Sequence, residues 1–198
     1  MEFTTSANYK LENERVLMRP LKPDDYIHLA YFSENEPELF KYSISLVTGV
    51  ENLKNYINST LLARENGVEY PFIVYDKRSG KYAGTTRFYD IQLQNKSLQL
   101  GYTWYGQEFH GSGLNKHCKF LLLQFAFETI VVERVEFRAN KLNERSKAAM
   151  ISIGCTVEGV LRKNVLEPSG IRRDTIILSI LKEEWQSGIR EQLKAKLA

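Results

Sequence analysis

Residues 98–124 read LQLGYTWYGQEFHGSGLNKHCKFLLLQ, and this stretch decides the fold. Its first part, Leu98–Trp104, has the composition of a strand. Three glycines fall within Gly106–Gly113, and from Leu114 onward apolar residues recur on one face at helical spacing. The order predicts a strand that enters a glycine turn, followed at once by a deeply buried helix.

The glycine loop, residues 110–115, is suited to bind a phosphate or pyrophosphate. Where a strand turns into a helix, several backbone N–H groups of the first turn have no partner and point outward. The helix dipole adds positive potential at the same place. Gly111 and Gly113 leave room for a close approach, because neither carries a Cβ. A plain turn before a core helix is the alternative for this motif alone.

Two familiar phosphate motifs are excluded by spacing. Gly106 and Gly111 have the gap of a Walker A loop, but Ser112 and Gly113 stand where that motif needs Lys and Ser or Thr. A dinucleotide fingerprint would need a third glycine, and Lys116 stands in its place.

The flanking segments predict an α/β domain with a mixed seven-stranded sheet and helices on both faces. Strands are expected at 15–21, 70–75, 82–91, 98–104, 134–139, 156–165 and 173–181. Helices are expected after Pro23, at 50–65, from Leu114, at 143–153 and after Trp185. Irregular chain is expected over 33–48. We expect one domain over 11–185 and an amphipathic C-terminal helix over 186–198. This helix is expected to pack on its own domain, and a homodimer contact is the alternative.

Composition argues against several classes of protein. The net charge of +3 shows no basic stripe, which argues against a nucleic-acid partner. No apolar run approaches the roughly 20 residues that span a membrane, and the N-terminus lacks a signal-peptide core. Cys118 and Cys155 lie in apolar stretches and are expected to be reduced core thiols, while three scattered histidines form no metal cluster. A cytoplasmic protein without a metal is expected.

Several segments, in this order, resemble the GNAT superfamily of acyl-coenzyme A N-acyltransferases. The nearest likeness is to its RimJ/RimL-like branch, which includes ribosomal-protein N-terminal acetyltransferases. The segments are LMRPLKPDDY at 17–26, LGYTWYG at 100–106, FHGSGLNKHCKFLLLQFAFE at 109–128, NERSKAAMISIGCTVEGVLRKN at 143–164 and GIRRDTIILSILKEEW at 170–185. Each motif is loose, but the ordered set is specific and covers nearly the whole chain.

The resemblance implies the GNAT fold, an acetyl-CoA-dependent N-acetyltransferase, and a position for the cofactor. In the family the loop binds the pyrophosphate, the preceding strand pairs with the pantetheine arm, and an asparagine contacts that arm. A splay between this strand and 134–139 makes the slot. The matching positions are His110, Gly111, Ser112, Gly113, Leu114, Asn115 and Lys116 in the loop, Tyr102, Thr103 and Trp104 in the strand, and Asn143. Asn143 equally suits a helix N-cap, and the two roles can coexist.

Some positions depart from the family pattern. His110 and Asn115 replace the usual Gln or Arg and Gly or Ala of the loop, and Asn115 suits a helix N-cap or first-turn position. Many members carry a tyrosine that protonates the leaving thiolate, and Met150 stands there instead. Ser146, one turn earlier, is the candidate catalytic acid, with an idle polar residue as the alternative.

The acceptor is expected to be an amine. Many family members carry a glutamate that acts as the general base, and Gln99 stands in its place. Another carboxylate (Glu36, Glu38 or Glu108), a chain of water molecules, or an amine that is already partly neutral must then replace this base. A protein or peptide N-terminal α-amine is the first candidate and a small amine, such as an aminoglycoside or polyamine, the second. A non-catalytic acyl-CoA sensor is the alternative of a different class. An aromatic wall of the acceptor groove, or else a core cluster, is expected from Tyr31, Phe32, Phe40 and Tyr42.

Overall fold

One sheet of eight strands organises the chain, which a computed structural model describes over residues 3–197. The strands are β1 (Leu11–Glu12), β2 (Val16–Pro20), β3 (Glu69–Asp76), β4 (Lys81–Gln92), β5 (Ser97–Tyr105), β6 (Arg134–Asn140), β7 (Thr156–Leu166) and β8 (Arg172–Leu181). The helices are α1 (Tyr26–Asn35), α2 (Val50–Glu65), α3 (Leu114–Gln124), α4 (Glu144–Ser152), α5 (Lys182–Glu184) and α6 (Arg190–Ala195). In space the strands follow the order β1-β2-β3-β4-β5-β6-β8-β7.

The predicted mixed α/β architecture is confirmed, but the count of seven strands is wrong. The additional strand, β1, has two residues and pairs antiparallel with β2 through Leu11↔Met18. A strand of two residues is too short to show a period in the sequence. The irregular chain expected over 33–48 is also partly wrong, because α1 extends to Asn35 and Pro37–Phe40 forms a 3₁₀ turn.

The sheet contains a single parallel pair among the described residues, β5 with β6. This pairing ends early, with Ser97↔Arg134, Leu98↔Val135 and Gln99↔Glu136. Both strands continue beyond that point, β5 to Tyr105 and β6 to Asn140. They therefore diverge, and the gap between residues 100–105 and 137–140 is called the interstrand slot below.

Helix α3 links the two diverging strands and fills the core beneath them. Leu114, Cys118, Leu122 and Leu123 on this helix are fully buried, as their spacing predicts. The helix continues as a π-helical segment over Phe125–Ile130. Both cysteines are free and buried, which confirms the expected core thiols.

The C-terminal helical segment packs on its own domain, as expected. Trp185 and Leu193 are each 1% exposed, and Ile189 and Leu197 lie against the same core. The chain kinks between α5 and α6, where Gly188 has non-helical dihedral angles. Between residues 3 and 197 the helices are too short or too polar to cross a membrane.

Candidate active site

The glycine loop has the backbone geometry of an anion-binding turn. Gly111 and Gly113 adopt positive φ angles of 72° and 85°, a region that favours glycine. Gly113 is the N-cap of α3, and a Cβ built on either glycine would meet nothing within 4 Å. Among residues 3–197, the N–H groups of Gly111, Gly113 and Asn115 have no acceptor within hydrogen-bonding distance. Three donors near the N-terminus of α3 are therefore left without a partner in the described part of the chain.

His110 at the start of the loop is held as a neutral imidazole. Its Nδ1 lies 3.0 Å from an Arg145 guanidinium nitrogen, which can only donate, so Nδ1 accepts. Its Nε2–H consequently donates to the Tyr105 carbonyl at 2.9 Å. Burial, together with the charge of Arg145, lowers the pKa of His110. The positive charge at this end of the loop thus comes from Arg145, which sequence reasoning missed because it lies 35 positions further along the chain.

A cavity of about 310 Å³ opens where this histidine meets the start of α4. It is lined by Glu38, Leu39, Gln107, His110 and Arg145. The cavity joins the glycine loop to the 3₁₀ turn after α1, and it holds both a cationic and an anionic side chain.

The other side chains of the loop differ in whether they form hydrogen bonds. Ser112 Oγ donates to the Phe109 carbonyl at 2.7 Å and closes the turn. Asn115 lies in the first turn of α3, because Gly113 is the cap. Its Oδ1 is buried without a partner among the described residues. Lys116 is half-buried beside it.

The wall of the interstrand slot contains a β-bulge. Between the pairs Arg87↔Gly101 and Thr85↔Trp104, β5 has one more residue than β4. Tyr102 lies at this bulge and has a positive φ of 48°. The Arg87 guanidinium lies 3.5 Å from the centroid of the Tyr102 ring, so a cation–π contact fixes the bulge. Bulges of this kind re-aim side chains and end strand pairing beside active sites.

Helix α4 begins at the open end of the slot. Asn143 is its N-cap, and Asn143 Oδ1 accepts from the Ser146 N–H at 3.0 Å. The predicted capping role is therefore confirmed. The Ser146 side chain is half-buried, and Met150, one turn later, is 6% exposed.

The carboxylates considered as bases lie in different surroundings. Glu108 forms an exposed ion pair with Lys81 at 2.9 Å. Glu36 accepts from the backbone N–H of Gln107 at 2.7 Å, and Glu38 lines the cavity near His110.

A different carboxylate, Asp90, lies beside Gln99. Gln99 Nε2 donates to Asp90 Oδ2 at 2.7 Å, and Asp90 has a positive φ of 47° at an irregularity of β4. Because a carboxylate only accepts, the orientation of the Gln99 amide is settled, and its buried carbonyl oxygen has no partner among residues 3–197. No signal in the sequence marks this contact, since it depends on the register of two strands.

The expected aromatic wall is mainly a core cluster. Phe32 and Phe40 are buried, and their rings lie 6.2 and 5.1 Å from the Trp104 ring. Tyr31 is 64% exposed. The Tyr42 hydroxyl donates to the Leu142 carbonyl at 3.2 Å. Trp104 itself keeps a buried indole N–H without a partner in the described part of the chain.

Comparison with known proteins defines the family. A family model described as the acetyltransferase (GNAT) domain matches residues 15–156. The chain belongs to the GNAT acetyltransferase family, and it is an N-acetyltransferase. The predicted family and fold are confirmed, and the alternative of a non-catalytic sensor is set aside.

The similarity of this chain to known proteins extends over most of its length. Over 181 residues it is 29% identical to the "Putative ribosomal N-acetyltransferase YdaF" of Bacillus subtilis, covering 88% of this chain and 95% of that protein. The crystal structure of a GCN5-related N-acetyltransferase from Brucella melitensis superimposes with a TM-score of 0.88 at 23% identity, covering 98% and 87% of the two chains. Mycobacterium smegmatis RimJ in complex with CoA-disulfide gives a TM-score of 0.76 at 20% identity, covering 95% and 93%. At these identities the two solved structures show the fold.

Proposed function

We propose that this enzyme transfers an acetyl group from acetyl-CoA to the N-terminal α-amine of a protein or peptide. One observation supports the cofactor above all: β5, which borders the interstrand slot, leads through the 3₁₀ turn Gln107–Phe109 into a loop with three N–H groups that have no partner among the described residues. Such a loop suits a pyrophosphate, and the slot suits an extended pantetheine arm. The solved RimJ relative is described with CoA-disulfide, in agreement with this assignment. We assign the transferase domain to 11–185, with 186–198 as a C-terminal extension.

The residues of the loop fit coenzyme A. A side chain on Gly111 or Gly113 would occupy the open space that phosphates need, and glycine leaves it free. The proposed pyrophosphate-binding residues are His110, Gly111, Ser112, Gly113, Leu114, Asn115 and Lys116, with Arg145 adding charge through its contact with His110. Tyr102, Thr103 and Trp104 are proposed to border the pantetheine arm. Asn143 is proposed to contact the same arm while it caps α4.

Acetyl-coenzyme A, when bound, supplies the acyl thioester, and the protein orients the amine and positions the groups that give and take protons. The amine nitrogen bonds to the carbonyl carbon, the C–S bond breaks, and sulfur gains a proton as nitrogen loses one. Ser146 is the proposed proton donor to sulfur, because Met150 has no proton to give and Ser146 is half-buried at the start of α4. A backbone N–H near Trp104 is proposed to stabilise the oxyanion.

The preference for an α-amine follows from the weak basicity of the site. Gln99 cannot take a proton, and both oxygens of the neighbouring Asp90 carboxylate already accept hydrogen bonds, from the side chains of Gln92 and Gln99. An α-amine has a reference pKa of about 7.7–8.0, whereas a lysine side chain has about 10.4. A substantial fraction of an α-amine is therefore neutral near pH 7.5, compared with roughly one lysine in a thousand. The name of YdaF, a ribosomal N-acetyltransferase, points to the same class of acceptor.

A small amine is the second candidate, because a larger cavity opens beside α1. It measures about 590 Å³ and is lined by His28, Tyr31, Phe32, Tyr75, Gly80, Lys81, Tyr82 and Glu108. Its aromatic rings are groups that would bind a cationic polyamine or aminoglycoside, whereas its carboxylate, Glu108, is already paired with Lys81.

The acceptor is tested with a synthetic peptide that carries a free N-terminus and one internal lysine. We expect acetylation at the N-terminal nitrogen, located by fragmentation mass spectrometry after incubation with acetyl-CoA. The matched control is the same peptide with a formylated N-terminus, which should remain unmodified. Acetylation mainly on the lysine would contradict the α-amine assignment. Reaction with a polyamine or an aminoglycoside but with neither peptide would favour the second candidate.

A further inference from the structure

A buried ammonium group lies beside the interstrand slot and takes no part in the proposed proton transfers. Lys119 of α3 is 6% exposed, and its Nζ donates to Thr103 Oγ1 at 2.9 Å. The same Nζ lies 5.8 Å from the centroid of the Phe137 ring. Thr103 belongs to β5 and Phe137 to β6, so the ammonium, which α3 carries beneath the sheet, contacts both strands where they diverge.

This charge lacks a counter-ion in the described part of the chain. The titratable groups that face it are two thiols, Cys118 on its own helix and Cys155 after α4, and no carboxylate contributes. Burial lowers the pKa of Lys119 to about 8. A buried lysine without a carboxylate partner is costly unless another group supplies compensating negative charge.

A purely structural role does not explain the charge. Thr103 Oγ1 is already paired with Thr86 Oγ1 at 2.7 Å, so the hydroxyl has a partner without the lysine. An ammonium has three N–H donors, and Thr103 is the one acceptor found for it among residues 3–197. An apolar side chain of similar length would fill the same space without desolvating a charge.

We propose that Lys119 binds the sulfur end of acyl-coenzyme A in the interstrand slot and stabilises the thiolate as it leaves. As the C–S bond breaks, its electron pair moves to sulfur, and the Lys119 ammonium faces the new negative charge. No proton leaves Lys119 in this step, so sulfur is protonated separately. The positive charge compensates for Met150, which cannot act as an acid. This role rests on the proposed cofactor site.

The test compares two ligands that differ only in the sulfur atom, coenzyme A and desulfo-coenzyme A, by isothermal titration calorimetry without an amine. In the wild type we expect coenzyme A to bind at least tenfold more tightly, which corresponds to about 1.4 kcal/mol. Lys119→Met should reduce this ratio to near one, whereas Lys119→Arg should retain much of it. Lys194→Met, the same change at an exposed position of α6, is the matched control and should leave the ratio unchanged.

Equal ratios in the wild type and Lys119→Met would overturn the role of Lys119 and leave the cofactor site intact. Failure of the wild type to bind either ligand would contradict the proposed function itself. Should Lys119→Met not fold, Thr103→Val removes the acceptor that holds Nζ in place. The ratio is then expected to fall, and an unchanged ratio would overturn the proposal.

Discussion

His110 and Arg145 show, at the scale of single residues, how this site departs from its family pattern. The histidine is neutral, and the arginine that contacts it supplies the charge. The glycines of the loop could be predicted because their φ angles and open surroundings follow from a local turn. Arg145, Asp90 and Lys119 could not be predicted, because their partners are distant in sequence or depend on strand register.

Ser146 carries the residue-scale prediction for catalysis. Ser146→Ala removes the hydroxyl but keeps the backbone N–H that Asn143 caps, so the fold of α4 should persist. Loss of a proton donor typically costs between 10² and 10⁴ in rate. We expect kcat to fall by about 10² or more while the affinity for acetyl-CoA changes little, measured by steady-state kinetics and calorimetry. An unchanged kcat would show that Ser146 has a structural role only.

At the scale of elements, the period of apolar residues predicted helices and strands well. The helix expected over 50–65 is α2, and each of the seven predicted strands is present to within one or two residues at most ends. Their existence follows from local periodicity. The divergence of β5 from β6 appears in no local pattern, since it results from a bulge and from the crossover through α3. The slot was therefore expected only from the resemblance to the family.

The close approach of β4 to the end of β5 supplies the element-scale prediction. A Cβ on Gly84 would lie 2.0 Å from the Trp104 carbonyl oxygen, and its φ is 152°. Since the neighbouring atoms are backbone, Gly84→Ala must displace the strand. We expect it to lower the free energy of unfolding by about 2 kcal/mol or more, measured by urea unfolding.

The matched control is Gly159→Ala on β7, where a Cβ meets nothing within 4 Å. This change should alter the free energy of unfolding by no more than about 0.5 kcal/mol. Equal stabilities for the two variants would show that the spacing of β4 and β5 is not set at Gly84.

At the scale of the whole molecule, the pairing of the strands leaves the interstrand slot open within the sheet. β5 pairs antiparallel with β4, and β6 pairs antiparallel with β8. The parallel pairing between β5 and β6 ends after three residue pairs. Antiparallel ladders hold both halves of the sheet while the slot stays open between them. The glycine loop follows the end of β5, which places the proposed pyrophosphate-binding loop next to the proposed pantetheine slot.

The binding of acetyl-CoA at this loop and slot is tested most directly by thermal unfolding with increasing acetyl-CoA. At 100 times its dissociation constant, the ligand should add about 2.7 kcal/mol, which raises Tm by roughly 5–10 °C for a chain of this size. Gly113→Asp, which places a carboxylate in the loop, should abolish the shift, whereas the isosteric Gly113→Asn should retain part of it. A folded wild-type protein with no change in Tm at millimolar acetyl-CoA would contradict the cofactor site.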